Sequence, residues 1–380
     1  MKYFLIAGEA SGDLHGAHLM HELKNLDAKA EFCFLGGDLM QAEGGTMVKH
    51  YREMAFMGFI AVIKNGKKLM NNLKECKKTL RNFQPDILIL IDYPSFNLRI
   101  AKFAKKELQL PVCYYISPKV WAWKTFRIKQ IKQYVDKMLV IFPFEVDFYA
   151  QYHYEVEYVG NPTVDAVFSS LNQNQTFEDF CLFNGIEKKP VIALLAGSRK
   201  QEISTCLPKM VETASKFSDF QVIIAGAPGI ELEFYQVILK NKNIKVVFEQ
   251  TYQLLLHAKA AIVNSGTATL ETALIGTPQV VVYSVAFGRL AYWAKNIFIK
   301  VKYISLVNLI AGREVVKELI AHLFTVENLA KELKKLLYNE AYRTKIQEGY
   351  QEIKNILGDK GAAERAARKI IAFCEERKKN

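Results

Sequence analysis

The chain has 380 residues, of which 50% are hydrophobic and 24% charged, so a disordered protein is excluded and two globular domains are expected. Its 51 lysines and arginines outnumber 39 acidic residues, and the net charge of +12 favours an anionic partner such as nucleic acid, anionic lipid or a phosphorylated substrate. With six scattered cysteines, no signal-peptide pattern and no apolar segment approaching about 20 residues, we expect a cytoplasmic protein without a transmembrane helix.

Short apolar segments alternate with amphipathic segments, which is typical of parallel sheets covered by helices on both faces. The first series of predicted strands is YFLIAG, EFCFLGG, DILILID, PVCYYIS and KMLVIF, and the second is VIALLAGSRK, QVIIAGAPG, IKVVFE, AAIVNSG and PQVVVYS. The sequence therefore predicts an α/β protein of two Rossmann-like domains, residues 1–165 and 166–380, facing a cleft. The charged region from Glu327 onward predicts a solvated amphipathic helix, and the alternative is that C-terminal helices cross back to the first domain.

The loop AGEASGDLHG leads from the first predicted strand into a helix. Such a loop normally binds phosphate, but Glu9 and Asp13 would repel a diphosphate, and the glycine spacing is not the dinucleotide fingerprint. We therefore expect no nicotinamide cofactor. Carboxylates accept hydrogen bonds from sugar hydroxyls, so we predict that Glu9, Ser11 and Asp13 lie on the side of a sugar acceptor. The alternative is that Ser11 or Asp13 only caps the helix.

Residues 57–83 combine an apolar start with a lysine-rich helical pattern. This combination is typical of a segment lying in an anionic membrane interface, and we expect part of the apolar stripe to pack in the domain core instead. The residues predicted on the membrane and acceptor side are Met57, Phe59, Ile60, Val62, Ile63, Lys67 and Lys68.

The strand DILILID ends at Asp92, where ligands of parallel sheets bind. A partly desolvated carboxylate at this place is a candidate general base, and a turn or helix-capping aspartate is the alternative. The next strand leads into ISPKVWAWKTFR, whose tryptophans and cations suit a sugar, a phosphate or single-stranded nucleic acid. We predict that Trp121 is on the acceptor side, although packing in the core is the commoner fate of a tryptophan.

Two loops of the second half favour a diphosphate. In LLAGSRKQE, basic residues open a helix, which is unfavourable for the helix dipole unless an anion binds there. In VNSGTATLE, small residues offer backbone N–H donors, and a glutamate one turn further is placed to bind a ribose. No D-x-D pair occurs in the sequence, and we predict no metal site. The predicted diphosphate site comprises Gly197, Ser198, Arg199, Ser265, Gly266, Thr267 and Glu271.

Together these motifs resemble those of the lipid-A-disaccharide synthases, which are inverting glycosyltransferases of the two-Rossmann (GT-B) architecture. The matching stretches follow the family's order over nearly the whole chain: AGEASGD, MQAEGG, MGFIAVI, IDYPSFN, YYISPKVWAWK, FPFE, YVGNP, LLAGSRKQE, NSGTATLE and YISLVNLIAGREVVKEL. The resemblance implies Asp92 as the base and Arg199 as a residue needed for activity, and we predict that Glu9 is catalytic as well. It also implies that Asn308 and Arg313 lie with Glu271 in the UDP site.

The resemblance further implies transfer of 2,3-diacylglucosamine from its UDP donor to the 6-hydroxyl of 2,3-diacylglucosamine 1-phosphate, without a metal or other cofactor. The expected location is the cytoplasmic face of the inner membrane, with a homodimer left open. Ser95, Asn161 and Val307 depart from the aspartate, histidine and proline that many members carry there. A UDP-sugar 2-epimerase is the alternative, and it should lack the apolar, lysine-rich segment. A nucleic-acid partner is not expected, because the basic residues do not form a contiguous stripe.

Overall fold

Each half of the chain folds around its own parallel β-sheet in the computed structural model, which describes residues 1–54, 66–121, 125–172, 174–240, 242–284 and 302–379. Unit 1 comprises Met1–Pro162 and Asp359–Asn380, and unit 2 comprises Thr163–Gly358. Five predicted residues of the membrane side, Met57, Phe59, Ile60, Val62 and Ile63, and the side chain of Lys67 lie outside the described residues.

Unit 1 contains a seven-stranded sheet with the strand order β3-β2-β1-β4-β5-β6-β7. Its strands are β1 (Lys2–Ala7), β2 (Glu31–Gly36), β3 (Thr46–His50), β4 (Ile87–Ile91), β5 (Val112–Tyr115), β6 (Lys137–Val140) and β7 (Glu157–Tyr158). Its helices are α1 (Ala10–Leu26), α2 (Asp38–Ala42), α3 (Tyr51–Met54), α4 (Gly66–Phe83), α5 (Pro94–Glu107), α6 (Ile128–Tyr134) and α7 (Phe144–Ala150), and a short 3₁₀ helix spans Thr125–Arg127.

Unit 2 contains a six-stranded sheet with the order β10-β9-β8-β11-β12-β13. Its strands are β8 (Val191–Leu195), β9 (Gln221–Ala225), β10 (Lys245–Val247), β11 (Ala258–Asn264), β12 (Gln279–Tyr283) and β13 (Glu318–Ile320). Helix α8 (Pro162–Ser170) begins at the boundary, and α9 (Phe177–Asn184), α10 (Lys200–Ala214), α11 (Leu232–Leu239), α12 (Thr251–His257), α13 (Thr267–Ile275), α14 (Leu306–Ala311), α15 (Val326–Tyr338) and α16 (Glu340–Leu357) follow. A 3₁₀ helix spans Ala321–Leu323, and the last helix of the chain is α17 (Ala362–Lys379).

The continuous apolar strands are buried on both faces of the sheet, as their sequences predicted. In β1, Phe4 packs with one apolar cluster and Tyr3 and Leu5 pack with another on the opposite face. All ten predicted strands are confirmed, whereas β3, β7 and β13 were missed. These three strands form outer edges of the two sheets and are short or partly polar, because an edge strand does not need to be apolar throughout.

The division of the chain differs from the prediction in two respects. Unit 1 ends at Pro162 rather than at residue 165, and α17 belongs to unit 1 rather than to a second domain that continues to residue 380. Ala366 and Ile370 of α17 are completely buried in the apolar cluster that contains Tyr3. Because its apolar residues recur every three or four positions, α17 presents one apolar stripe, and it buries this stripe on unit 1. The alternative that C-terminal helices cross back to the first domain is thus confirmed for α17.

Arg365 of α17 connects the two places where the chain leaves and re-enters unit 1. Its guanidinium donates to the carbonyl oxygen of Val159 at 2.9 Å, and also to those of Asp359 at 2.9 Å and Lys360 at 2.7 Å. One charged side chain therefore satisfies carbonyl groups from segments that are about 200 residues apart in sequence.

We expect Arg365→Met to lower the free energy of unfolding by about 2 kcal/mol, because hydrogen bonds from a charged donor are lost and the carbonyl of Val159 is partly buried. Arg368→Met on the same helix removes an exposed pair with Glu364 and should cost less than about 0.5 kcal/mol. Thermal unfolding followed by circular dichroism measures both. Equal midpoints of thermal unfolding for the two variants would contradict this stabilising role of Arg365.

Candidate active site

The turn after β4 holds Asp92 in an uncommon backbone conformation. Asp92 and Tyr93 both have left-handed backbone angles, with φ of 42° and 45°, which are costly for residues with a side chain. The carbonyl oxygen of Asp92 compensates by accepting hydrogen bonds from the Asn97 side chain at 2.7 Å and from the Tyr114 hydroxyl. Helix α5 has Tyr93 as its N-cap residue, so the alternative that Asp92 caps this helix is wrong.

The Asp92 carboxyl group is largely buried, and burial raises its pKa. Lys119 and Arg127 oppose this rise in pKa, whereas Glu9 adds to it. Glu9 follows β1, Asp92 follows β4 and Lys119 lies beyond β5, and these three strands are neighbours in register. The order of the parallel strands therefore brings two carboxylates and two cations to the carboxyl ends of neighbouring strands.

The opening loop is shaped to receive the ring of Tyr93. A Cβ atom on Gly8 would lie 2.2 Å from that ring, so only glycine fits there. The Tyr93 hydroxyl donates to the carbonyl oxygen of Met54 at 3.0 Å, which fixes the ring. Glu9 is the N-cap residue of α1 but makes no capping hydrogen bond with its side chain, and Ser11 is exposed in the first turn. The Glu9 carboxylate thus remains available beside Asp92.

Asp13 has a structural function rather than the predicted position on the acceptor side. Its side chain is 3% exposed and accepts hydrogen bonds from the backbone N–H groups of Gly37 at 2.7 Å and of Leu39 and Met40 at 3.1 Å. These groups belong to the start of α2, so Asp13 caps another helix and not its own. Both carboxylate oxygens are occupied, and we propose no contact between Asp13 and the acceptor.

Trp121 is likewise buried instead of exposed for stacking on a sugar. It is 9% exposed and its ring packs edge-on against Phe144, with 5.1 Å between ring centres. The core alternative is therefore favoured for this tryptophan. The same region contains Glu145, which is 1% exposed and accepts a hydrogen bond from the N–H of Phe142 at 3.1 Å.

Glu145 lies beneath the loop that carries Lys119. Burial raises the pKa of Glu145 to about 8, and hydrogen bonding from the backbone of Phe142 and Ile141 opposes this rise. The Ser117 hydroxyl is 2.7 Å from the hydroxyl of Tyr149. Sequence reasoning gave no role to Glu145, although it is the last residue of the FPFE motif. Its burial could not be read from a short motif at the start of a helix.

In unit 2, the loop before α10 that was predicted to bind a diphosphate contacts a carboxylate of the protein itself. Gly197 has a φ of 119°, and the N–H of Ser198 donates to the carboxylate of Glu202 at 3.1 Å. The same carboxylate lies 3.4 Å from the guanidinium of Arg199, whose side chain is 61% exposed. The prediction of an anion at this basic helix start did not consider Glu202 in the first turn, whose carboxylate offsets part of the positive charge. A glutamate three residues after the N-cap is a capping signal.

The second predicted loop leaves a helix start without an internal cap. Gly266 and Thr267 are exposed at the beginning of α13, and no side chain caps this helix. Ser265 is turned away, since its hydroxyl donates to the carbonyl of Ile304 at 3.1 Å. Glu271 is half-buried one turn further, its pKa is raised by burial, and it accepts a hydrogen bond from Tyr252 at 3.3 Å.

Asn308 and Arg313, which the resemblance places in the UDP site, both have partners within unit 2. Asn308 is 0% exposed, its amide oxygen accepts from two backbone N–H groups, and its amide nitrogen donates to the carbonyl of Val316 and to Glu318 at 2.9 Å. Glu318 also accepts from the N–H and hydroxyl of Ser305. Asn308 therefore organises its own segment and has no hydrogen-bonding group left for UDP. Arg313 is half-exposed and pairs with Glu352 of α16.

The comparisons with known proteins agree over the full length. The lipid-A-disaccharide synthetase family matches residues 3–371. A lipid-A-disaccharide synthase of Myxococcus xanthus (strain DK1622) is 37% identical over 377 residues, 97% of each chain. A UDP-GlcNAc 2-epimerase from Neisseria meningitidis, solved with UDP-GlcNAc bound, has a TM-score of 0.67 at 16% identity and covers 99% of this chain and 100% of that one. CalG4, the calicheamicin glycosyltransferase, has a TM-score of 0.58 at 12% identity, covering 98% and 97%. These two structures show the fold alone, which is the GT-B fold.

The buried Glu145 generates a prediction about stability and pH. Because its pKa is raised from 4.5 to about 8 in the folded protein, it stabilises the fold fully below pH 4.5, and this contribution is lost as the pH rises to about 8. The full shift corresponds to about 5 kcal/mol. We expect the free energy of unfolding in urea to fall less between pH 5 and pH 8 in Glu145→Gln than in the wild type, with the exposed Glu155→Gln as control. Parallel curves for wild type and Glu145→Gln would contradict this assignment.

Proposed function

The chain belongs to the lipid-A-disaccharide synthetase family, and we propose that Asp92 of unit 1 and the loops of unit 2 carry its reaction. The protein is a glycosyltransferase of lipid A biosynthesis. Its proposed reaction transfers 2,3-diacylglucosamine from UDP to the 6-hydroxyl of 2,3-diacylglucosamine 1-phosphate and gives a β-1,6-linked disaccharide and UDP. The observation that carries the proposal is the largely buried Asp92 carboxyl group at the end of β4, with Glu9, Lys119 and Arg127 around it.

In the proposed mechanism, Asp92 accepts the proton of the acceptor hydroxyl. Burial raises the pKa of Asp92 and makes its carboxylate a stronger base, while Lys119 and Arg127 favour the ionised form that a base requires. The hydroxyl oxygen bonds to the anomeric carbon of the donor as the bond from that carbon to the phosphate oxygen breaks. The electron pair of the broken bond leaves with UDP, and this single displacement inverts the anomeric carbon.

We assign the UDP group to unit 2. The exposed guanidinium of Arg199 is suited to stabilise negative charge on the leaving diphosphate, and the uncapped start of α13 at Gly266 and Thr267 supplies backbone N–H donors. Glu271 is the proposed acceptor of hydrogen bonds from the ribose. The bond between Glu202 and the N–H of Ser198 has to open if the diphosphate uses that N–H group.

The alternative of a UDP-sugar 2-epimerase is less well supported. The epimerase from Neisseria meningitidis shares the fold at 16% identity, whereas the disaccharide synthase from Myxococcus xanthus is 37% identical over 97% of the chain. Only the likeness in fold favours the epimerase, and this fold serves both classes of enzyme.

A membrane surface is the proposed location of the enzyme, on the cytoplasmic face of the inner membrane. Within the residues that the structure describes, helices long and apolar enough to cross a bilayer were not found. Helix α4 buries Leu73, Cys76 and Leu80 in the core and exposes Lys74 and Lys78. The predicted mixture of core and surface residues is thus present in α4, and its lysines are suited to anionic lipid headgroups.

Substitutions in the two units should affect different steps. Asp92→Asn should lower kcat by about a hundredfold to ten-thousandfold and change the Kd for UDP by less than about twofold, since only proton transfer is lost. Arg199→Met should weaken UDP binding by about tenfold, because a charge-assisted contact is removed. UDP release and calorimetric titration with UDP measure these effects. The exposed Asp147→Asn serves as a matched control in unit 1. Loss of UDP affinity in Asp92→Asn would refute the assignment of the two units.

The membrane proposal is tested by sedimentation with vesicles. Each lysine near an anionic bilayer contributes about 1 kcal/mol, so the double variant Lys74→Glu/Lys78→Glu should bind vesicles that contain phosphatidylglycerol at least about tenfold more weakly. Lys331→Glu/Lys334→Glu on α15 makes the same change of charge at exposed positions of unit 2. If both double variants lose affinity equally, net charge rather than α4 determines binding.

A further inference from the structure

We propose that Lys119 and Arg127 form a binding site for the phosphate group of the acceptor, next to the base Asp92. This inference rests on the proposed function and names the part of unit 1 that recognises the acceptor. It also gives both cations near Asp92 a role in binding.

The fold places both cations at the carboxyl ends of the strands, on the same side of the sheet as Asp92. Ile91 and Tyr115 are paired in register, so the segments after β4 and β5 leave the sheet side by side. Arg127 ends the 3₁₀ helix, and its guanidinium donates to the hydroxyl of Ser95 at 2.8 Å, three residues beyond Asp92. Lys119 is exposed, so its ammonium can be reached by a ligand.

The partner of Arg127 is a neutral hydroxyl and not a carboxylate. In this chain Ser95 orients the guanidinium by one hydrogen bond and leaves its charge uncompensated at this contact. A guanidinium held in this way still has donors for two oxygens of a phosphate.

The local charges also require cations if a phosphate is to approach. Glu9 and Asp92 follow neighbouring strands and Glu9 raises the pKa of Asp92, so a phosphate dianion near Asp92 would be repelled by both carboxylates. Lys119 and Arg127 offset this repulsion, and they are the two cations that lower the pKa of Asp92. The same pair can therefore attract the phosphate and keep Asp92 ionised.

The loop that carries Lys119 is fixed by buried residues on both sides of Lys119, and a fixed loop suits a binding site. Ile116 has a φ of 65°, an uncommon conformation for a β-branched residue, and its N–H donates to the carbonyl of Leu139 at 3.0 Å. Ser117 and Trp121 are buried around Glu145 on either side of Lys119. The backbone at Lys119 is thus fixed by buried neighbours, which limits the loss of backbone conformational entropy when the ammonium binds an anion.

The test removes the phosphate from the acceptor and the cations from the protein. Wild type, Lys119→Met, Arg127→Met and the exposed control Lys129→Met are assayed with 2,3-diacylglucosamine 1-phosphate and with 2,3-diacylglucosamine. We expect the first two substitutions to lower kcat/KM for the phosphorylated acceptor by about tenfold to a hundredfold each, because a charged contact is lost. At a pH well above the acid limb, where Asp92 is ionised in every variant, kcat/KM for the unphosphorylated acceptor should change much less, so that the preference for the phosphorylated acceptor is lost.

Other outcomes would overturn the proposal. An equal loss with both acceptors would mean that the cations serve only Asp92, and the acid limb of the pH profile would then move to higher pH, since Glu9 would face Asp92 with one cation fewer. A weaker Kd for UDP would mean that the cations bind the donor's phosphates. Unchanged kinetics in both variants would also refute the site.

A binding measurement separates this inference from the proposed function. The Asp92→Asn variant and its double variant with Lys119→Met are titrated with the phosphorylated acceptor in detergent micelles, where no turnover is required. Weaker binding by about tenfold in the double variant supports the phosphate site even if the wild type forms no disaccharide. Equal binding by the two proteins refutes the site even if the wild type is active.

Discussion

The site of unit 1 depends on how the carbonyl oxygen of Asp92 is held. Asp92 and Tyr93 occupy a strained turn that would relax if this oxygen lost its two donors, Asn97 and Tyr114. Tyr114 belongs to β5 and Asn97 to α5, so the turn is fixed from the neighbouring strand and from the following helix. The backbone bears the strain, while the carboxyl group, our proposed base, accepts a hydrogen bond from the N–H of Tyr93.

Around this turn, burial and charge act in opposite directions on one carboxyl group. Burial and Glu9 raise the pKa of Asp92, whereas Lys119 and Arg127 lower it. A base needs both effects, because it must be ionised before the reaction and must still bind a proton during it. The β-sheet provides this balance, since parallel neighbouring strands deliver side chains from distant parts of the sequence to one edge.

In unit 2, the loops that we propose to bind the diphosphate offer the backbone N–H groups of helix starts more than side chains. One start is closed internally by Glu202, and the other, at Gly266 and Thr267, is open. The amide of Asn308 is consumed by its own segment and by Glu318, so this side chain has no hydrogen-bonding group left for a ligand.

From the sequence alone, the two parallel sheets, the family and the position of Asp92 at the end of a strand could be predicted, because continuous apolar strands and glycine loops are local patterns. The edge strands β3, β7 and β13, the return of α17 to unit 1 and the burial of Asp13, Trp121 and Asn308 were decided by tertiary packing. The physical reason is that a polar side chain has the same sequence signature whether it meets a ligand or a backbone group. Only the fold determines which hydrogen-bonding groups remain unoccupied when the chain is packed.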